Sequence, residues 1–397
     1  MKFSHRIQAV KTSLTLEITA LANELKAKGE DVIGFGAGEP DFDTPDNVKQ
    51  AAIRAIQQND TRYTPVGGTN ELKDAVIHKL KQDNSLNYQR NQIVVSCGAK
   101  HSFFNLAQVL WDKGDEVLVP APYWVSYPEM ILLSGGTPVI VQTSRQTGFK
   151  VTPEQIDSAV TGHTRAVILN SPSNPTGSAY SREELEGIAE CALKHNLLII
   201  SDEIYEKIVF DGFEQSSIAS LDKEVQKNCV VINGMSKCYA MTGWRIGYLA
   251  AQPEIAQQVV KLQSQSTSNP TSISQAASIE ALTGPQDNVV RMVEEFTHRR
   301  NLLMDLLAEI EGVTCYRPAG SFYTFPNFSA YYGKSCHGET VKGSVEFARF
   351  LLQTAKVALV PGIAFGANDN VRLSFAASQE VIREGMGRIA EAVAELR

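Results

Sequence analysis

No run in this sequence is long and apolar enough to cross a membrane as a helix. The first 28 residues break up their apolar positions with His5, Arg6, Lys11, Glu17, Glu24 and Lys26, so the apolar centre of a signal peptide is missing as well. Cysteine is sparse. Cys97, Cys191, Cys229, Cys238, Cys315 and Cys336 show no C-x-x-C spacing, which argues against a disulfide frame or a cysteine zinc site and fits free thiols in a reducing compartment. No metal is expected, and the cytoplasm is the expected location. Lys/Arg-rich runs are lacking too, and a net charge of -7 disfavours nucleic acid or an anionic membrane as partner. Internal repeats and low-complexity tracts are absent, so domain limits have to come from the pattern of elements.

What is present suits a large globular protein. With 397 residues, 43% of them hydrophobic, the chain can bury a sizeable core and exceeds one ordinary compact domain, so two domains are expected. Short Val/Ile-rich runs alternate with longer amphipathic stretches: Ile93–Cys97, Glu116–Val119, Pro138–Val141, Arg165–Leu169, Leu197–Ile200, Cys229–Ile232 and Ile246–Ala250 read as buried strands. Helices fill the gaps, as at Ser181 to His195, where Ser181 and Glu184 have capping-box spacing. Beyond Pro285 the pattern changes to a long helix through Ile310, then short strands, then helices near 344–355 and 379–396. The fold class is α/β: a largely parallel sheet covered by helices on both faces, followed by a second, smaller domain.

In such sheets ligands bind beyond the carboxyl ends of the strands. Five strand ends here carry suitable chemistry. Gly98-Ala99-Lys100-His101 opens a helix and offers an anion free backbone N–H groups and a positive helix end. Tyr123 and Trp124 supply flat rings able to stack on a heteroaromatic cofactor. Asn174 sits in a proline- and glycine-stiffened loop and can donate a hydrogen bond, whereas Asp202 and Tyr205 place a carboxylate and a phenol after the next strand. The fifth end, Asn233 to Gly247, sets Lys237 between Ser236 and Arg245. Hydroxyl and guanidinium can hold a phosphate while the lysine forms a Schiff base with a carbonyl cofactor, for which pyridoxal phosphate is the obvious candidate. Each feature has an ordinary structural explanation when taken singly, but together they complement one another.

These residues resemble the fold-type I pyridoxal phosphate enzymes, and within them the class I and II aminotransferases, close to the bacterial aspartate aminotransferase branch. The likeness extends through Ala37-Gly-Glu-Pro-Asp-Phe-Asp-Thr-Pro45, Tyr63-Thr-Pro-Val-Gly-Gly68, Pro122-Tyr-Trp-Val-Ser-Tyr-Pro128, Asn174-Pro-Thr-Gly177, Ser201-Asp-Glu-Ile-Tyr205, Gly234 to Gly247 and Val371-Arg-Leu-Ser-Phe375. It implies that Lys237 forms the Schiff base, that Asp202 pairs with the cofactor's ring nitrogen, and that Tyr205 and Asn174 contact its ring oxygen. It further implies that Trp124 covers the ring, and that Gly98, Ala99, Lys100, Ser236 and Arg245 hold the phosphate. Tyr63 would reach the phosphate of a partner subunit, so a homodimer is expected. Both chain ends would build the small α+β domain, giving residues 46–285 as a three-layer large domain and residues 1–45 with 286–397 as the small one.

For the substrate, the resemblance singles out Arg372, which offers the planar two-pronged donor that an α-carboxylate wants, and adds the N–H of Gly38. A dinucleotide reading of Gly34 to Glu39 fails, because Glu39 takes the third glycine position and Pro40 stands where a helix should begin. The resemblance of Gly98-Ala99-Lys100 to the bacterial aspartate aminotransferase branch implies that Lys100 meets the distal carboxylate, which would favour aspartate with 2-oxoglutarate. Thr15 near the N-terminal entrance, together with Lys100, leaves prephenate open, and a broader aminotransferase acting on prephenate, aromatic amino acids or alanine is the alternative. The dedicated side-chain arginine that another aspartate aminotransferase branch takes from the neighbouring subunit is not found. A β-eliminating or ring-closing enzyme of the same fold is one alternative. The aminotransferase-like sensor module of transcription regulators is another, but it needs a DNA-binding domain for which this chain has neither room nor charge.

Overall fold

In a computed structural model of the chain, described for residues 2–10, 14–336 and 338–397, all seven expected strands form one sheet. They are β1 (Ile93–Ser96), β2 (Glu116–Ala121), β3 (Thr137–Gln142), β4 (Thr164–Asn170), β5 (Leu198–Asp202), β6 (Cys229–Gly234) and β7 (Gly247–Ala250), in the order β1-β7-β6-β5-β4-β2-β3. β7 runs antiparallel to both of its neighbours and every other pairing is parallel. The carboxyl ends of β1, β6, β5, β4 and β2 therefore line one edge.

Successive strand residues feed opposite faces, as the two-residue pleat requires. Val94, Val117, Val119, Ala166, Ile168, Ile200, Val230, Ile232 and Leu249 pack with Phe103, Leu106, Met130 and Val259 from helices on one side. Their neighbours Val95, Leu118, Val167, Leu169, Ile199, Val231 and Tyr248 pack with Val48, Leu72, Val76, Leu185 and Ile188 on the other. Both faces are dry, which is why these strands read as continuous apolar runs. The helix Arg182–Lys194 has the expected reciprocal cap between Ser181 and Glu184.

A further core cluster joins the two chain ends: Ile18, Ile33 and Phe35 pack with Phe296, Leu303, Phe322, Phe347, Leu373 and Ile382. Ile204, Tyr205, Ile208 and Phe210, just past β5, enter the same cluster. Here β8 (Tyr323–Thr324), β9 (Val360–Pro361) and β10 (Val371–Ser374) form a small antiparallel sheet in the order β9-β10-β8. The long helix spans Asp287–Ala308, and the last helix, Gln379–Ala394, packs against it. Arg299 pairs with Asp41 at 2.7 Å, tying the long helix to the segment that follows the Gly34–Gly38 turn. Ser374 N–H donates to Phe35 O at 2.8 Å, which seats that turn beside β10.

Candidate active site

The strand ends and the small sheet meet at a cleft. Adjacent register brings Asn170 of β4 opposite Asp202 of β5, and Asp202 opposite Ile232 of β6, so the loops after these strands emerge side by side. Asp202 is buried; its Oδ2 accepts from the Tyr127 hydroxyl at 2.6 Å and its Oδ1 from the Ile204 N–H at 3.2 Å. Burial pushes its carboxyl up to about 6, with those two donors and Lys237 pulling the other way. A turn rather than a helix follows Asp202, so its carboxylate is not simply capping a helix.

Lys237 is partly open to the cleft, and its ammonium donates to Gly38 O. Burial and then the charge of Arg372 bring its pKa down to about 8, against the opposing pull of Glu39 and Asp202. A lysine so placed carries a usable neutral fraction at neutral pH. Ser236, next to it, is buried. Arg245 stands in the left-handed region at φ 56°, donating to Thr242 O at 2.8 Å and Cys97 O at 3.2 Å. Gly98 caps the helix Ala99–Leu110 at φ 97°, and a β-carbon there would lie 2.4 Å from Arg245 Nη2. The contact between strand and helix start is equally close at Gly247, where a β-carbon would meet Ala99 N at 2.2 Å. Only glycine at both positions lets Ala99, Lys100 and Arg245 converge.

Trp124 packs edge-on against Tyr127 at 5.1 Å, and Lys100 Nζ lies 5.0 Å from the centre of the Trp124 ring. Burial and Arg245 both lower the Lys100 pKa. On the opposite side, Arg372 is buried on β10. It donates from Nη1 to Asn174 Oδ1 at 3.0 Å and from Nη2 to Gly36 O at 2.9 Å, and it lies 4.4 Å over the Tyr323 ring. Asn174 thus acts here as an acceptor through its oxygen, which leaves its amide nitrogen to donate. Tyr205 and Tyr323 share a hydrogen bond at 3.1 Å.

Of the residues read from the sequence, Gly38, Gly98, Ala99, Lys100, Trp124, Asn174, Asp202, Tyr205, Ser236, Lys237, Arg245 and Arg372 are linked by these contacts and chain neighbours into one cleft. Tyr63 stands apart: its side chain is 92% exposed. The side chain of Thr15 lies outside the described residues. Three participants escaped the sequence reading. Tyr127 shows no sign of its role within its motif, Tyr323 belongs to none of the motifs, and Glu39, whose Oε2 accepts from Thr242 Oγ1 at 2.7 Å, reads in the sequence only as a residue that excludes a dinucleotide site. Elsewhere, Asp157, Cys191 and His195 hold ligand atoms within 4.8 Å of one another. Asp157 Oδ1 is already engaged there by Lys194 at 2.6 Å and His195 at 2.7 Å.

A seven-stranded α/β sheet that gathers a lysine, a buried carboxylate and Arg245 at its strand ends, faced by Arg372 from the small sheet, defines a class. The chain belongs to the class I and II aminotransferases, whose family model matches residues 30–389. It is an aminotransferase, and its cofactor is pyridoxal phosphate. The chain is 50% identical to an aspartate aminotransferase of Geobacillus stearothermophilus over 98% of both chains. It is 48% identical to an aspartate/prephenate aminotransferase of Cereibacter sphaeroides over 97% of both. Among solved structures, the aspartate aminotransferase of Rhizobium meliloti superposes with a TM-score of 0.97 at 43% identity, each chain covered completely.

The cleft fits this cofactor on its own chemistry. Lys237, Arg245 and Arg372 bring positive charge together, and among the described residues no carboxylate forms an ion pair with any of them. Arg372 Nε is also buried without a hydrogen-bond partner among the described residues. Cations so gathered call for anionic ligands.

Proposed function

We propose that the enzyme exchanges an amino group between aspartate and 2-oxoglutarate, forming oxaloacetate and glutamate. Arg372 carries this reading: a buried guanidinium held by Asn174 and Gly36 O, across the cleft from Lys237, suits the α-carboxylate of an amino or oxo acid. A charge-assisted contact of this kind is worth about 1.5–3 kcal/mol. In this reading the N–H of Gly38 gives the carboxylate a further contact, and Lys100 meets the distal carboxylate of a dicarboxylic substrate.

Gly98, Ala99, Lys100, Ser236 and Arg245 would hold the cofactor phosphate, and Trp124 would cover the ring. Asp202, oriented by Tyr127, would pair with the ring nitrogen, while Tyr205 and Asn174 would face the ring oxygen. When bound, the cofactor draws electrons from the substrate Cα and so makes its proton removable. Lys237 Nζ, neutral in part at neutral pH, would take that proton from Cα of the amino acid consumed and, in the reverse half-reaction, give a proton to Cα of the amino acid formed. Arg372 holds the carboxylate so that the Cα–H bond is presented to Lys237.

Two structural expectations belong to the same reading. The division into residues 46–285 and residues 1–45 with 286–397 is supported by the shared core of the two chain ends. A homodimer is supported by the bare aromatic ring of Tyr63, whose exposure asks for a covering partner. Prephenate as an amino acceptor is the second reading, favoured by the name of the Cereibacter sphaeroides relative. The purified protein decides between them when its cofactor spectrum is followed as aspartate, glutamate, alanine and aromatic amino acids are added separately. 2-Oxoglutarate, oxaloacetate or prephenate then regenerates it. Cycling with aspartate and 2-oxoglutarate is the expected result, and no spectral change with aspartate overturns the proposal. Pyruvate with ammonia, or a cyclised product, would move the assignment to elimination or ring closure.

A further inference from the structure

Building on the roles proposed for Tyr205 and Arg372, we infer that Tyr323 is a positioning residue that holds these two side chains as one unit, its ring serving Arg372 and its hydroxyl serving Tyr205. Tyr323 is fully buried on β8, directly opposite Ser374 of β10. Arg372 lies two residues before Ser374 and so shares its face of the sheet, which brings the guanidinium diagonally across from Tyr323. The result is a cation–π contact of 4.4 Å, while Phe365 lies 5.2 Å from the same guanidinium. Asn174 and Gly36 O fix its two terminal nitrogens, and the Tyr323 ring sets the plane in which they sit.

The hydroxyl has a separate task. A phenol owns one proton, so Tyr205 can donate toward the cleft and keep its hydrogen bond to Tyr323 only when Tyr323 is the donor between them. Tyr323, at 3.1 Å, is the hydroxyl within reach. With Tyr323 donating to Tyr205, the proton of Tyr205 points outward to the ring oxygen of the cofactor. Tyr323 also borders the Gly38 turn, where a β-carbon would come within 3.7 Å of its hydroxyl, so one side chain touches three parts of the site.

The two tasks separate by substitution. Tyr323→Phe keeps the ring and deletes the hydroxyl; Tyr323→Leu deletes both. On the holoenzyme, two quantities are measured: the pH midpoint of the cofactor's visible absorbance, and the Kd for succinate, a non-reacting dicarboxylate. Tyr323→Phe should move the midpoint by about half a pH unit or more and leave succinate binding within about twofold of wild type. Tyr323→Leu should also weaken succinate by about tenfold. On a Tyr205→Phe background, Tyr323→Phe should produce no further midpoint shift, because the hydroxyls act through each other. Wild-type succinate affinity in Tyr323→Leu overturns the inference, as does a midpoint shift that persists without the Tyr205 hydroxyl. Should the leucine variant fail to fold, the two phenylalanine variants still decide the hydroxyl's part. Arg372→Ala is the control: if it leaves succinate affinity unchanged, the reading of Arg372 falls and this inference falls with it.

Discussion

The two sides of the cleft are built differently. The cofactor side is a row of strand ends in one sheet, where neighbouring backbone pairings such as Asn170 with Asp202 fix the spacing of side chains before any loop is considered. The proposed substrate side joins the Gly36–Gly38 turn to Tyr323 on a two-residue strand and Arg372 on β10, both more than half the chain away from that turn and linked to it by a few contacts such as Ser374 N–H to Phe35 O. One side inherits its geometry from the sheet. The other depends on long-range packing.

That contrast is testable, beginning with the largest effect. Lys237→Ala should lower turnover by roughly 10⁴-fold and abolish the visible absorbance of the lysine-bound cofactor; a variant retaining both would remove the central assignment. Arg372→Ala should lower kcat/KM for aspartate by about 10- to 150-fold while pyridoxal phosphate still binds. If cofactor binding fails along with substrate binding, the two sides are not separable as described. Gly98→Ala strikes the cofactor side alone. Its β-carbon would collide with Arg245 in a backbone conformation that disfavours any side chain, so cofactor affinity should fall about tenfold, from strain of roughly 1–3 kcal/mol. Dialysis of the holoenzyme against buffer, followed by absorbance, measures it. KM for aspartate in the cofactor-saturated variant should stay near wild type.

The same contrast explains what could be read from the sequence. Lys237, Ser236, Asp202, Tyr205 and the Gly98 turn each stand within a few residues of a strand whose Val/Ile run is unmistakable, so the strand-end rule finds them. Even the direction of the sheet was mostly legible, except that nothing in Gly247–Ala250 announces an antiparallel strand. Tyr127 and Tyr323 were hidden for the opposite reason. Their hydroxyl partners lie 75 and 118 residues away, and a buried tyrosine carries no local sign of which distant group its single proton will meet. Strands of two residues, such as Tyr323–Thr324 and Val360–Pro361, are too short to show any period. Arg372 became visible only through the family resemblance, since an arginine at a strand end is otherwise unremarkable.

The smallest expected effect asks whether the two sides are electrically coupled. The Lys237 amine sits at about 8 instead of 10.5, chiefly through burial and next through Arg372 from across the cleft. The folded cofactor-free protein therefore binds fewer protons than the unfolded chain between about pH 8 and 10.5. Relative to Lys237→Met, its stability should rise with pH through that window and should carry the full penalty below it. Kinetically, only the neutral amine attacks a carbonyl. Uptake of pyridoxal phosphate should accelerate about fivefold between pH 7 and 8 and level off above the midpoint. Removing the Arg372 charge should move that midpoint upward, because one of the charges disfavouring the ammonium is gone while the opposing pull of Glu39 and Asp202 remains. Stopped-flow absorbance on cofactor-free wild type and Arg372→Ala, each across pH 6.5 to 9.5, reads both midpoints under the same titration of the free cofactor. Coincident midpoints would mean that Arg372 positions substrate without tuning Lys237, leaving burial as the main cause of the lowered pKa.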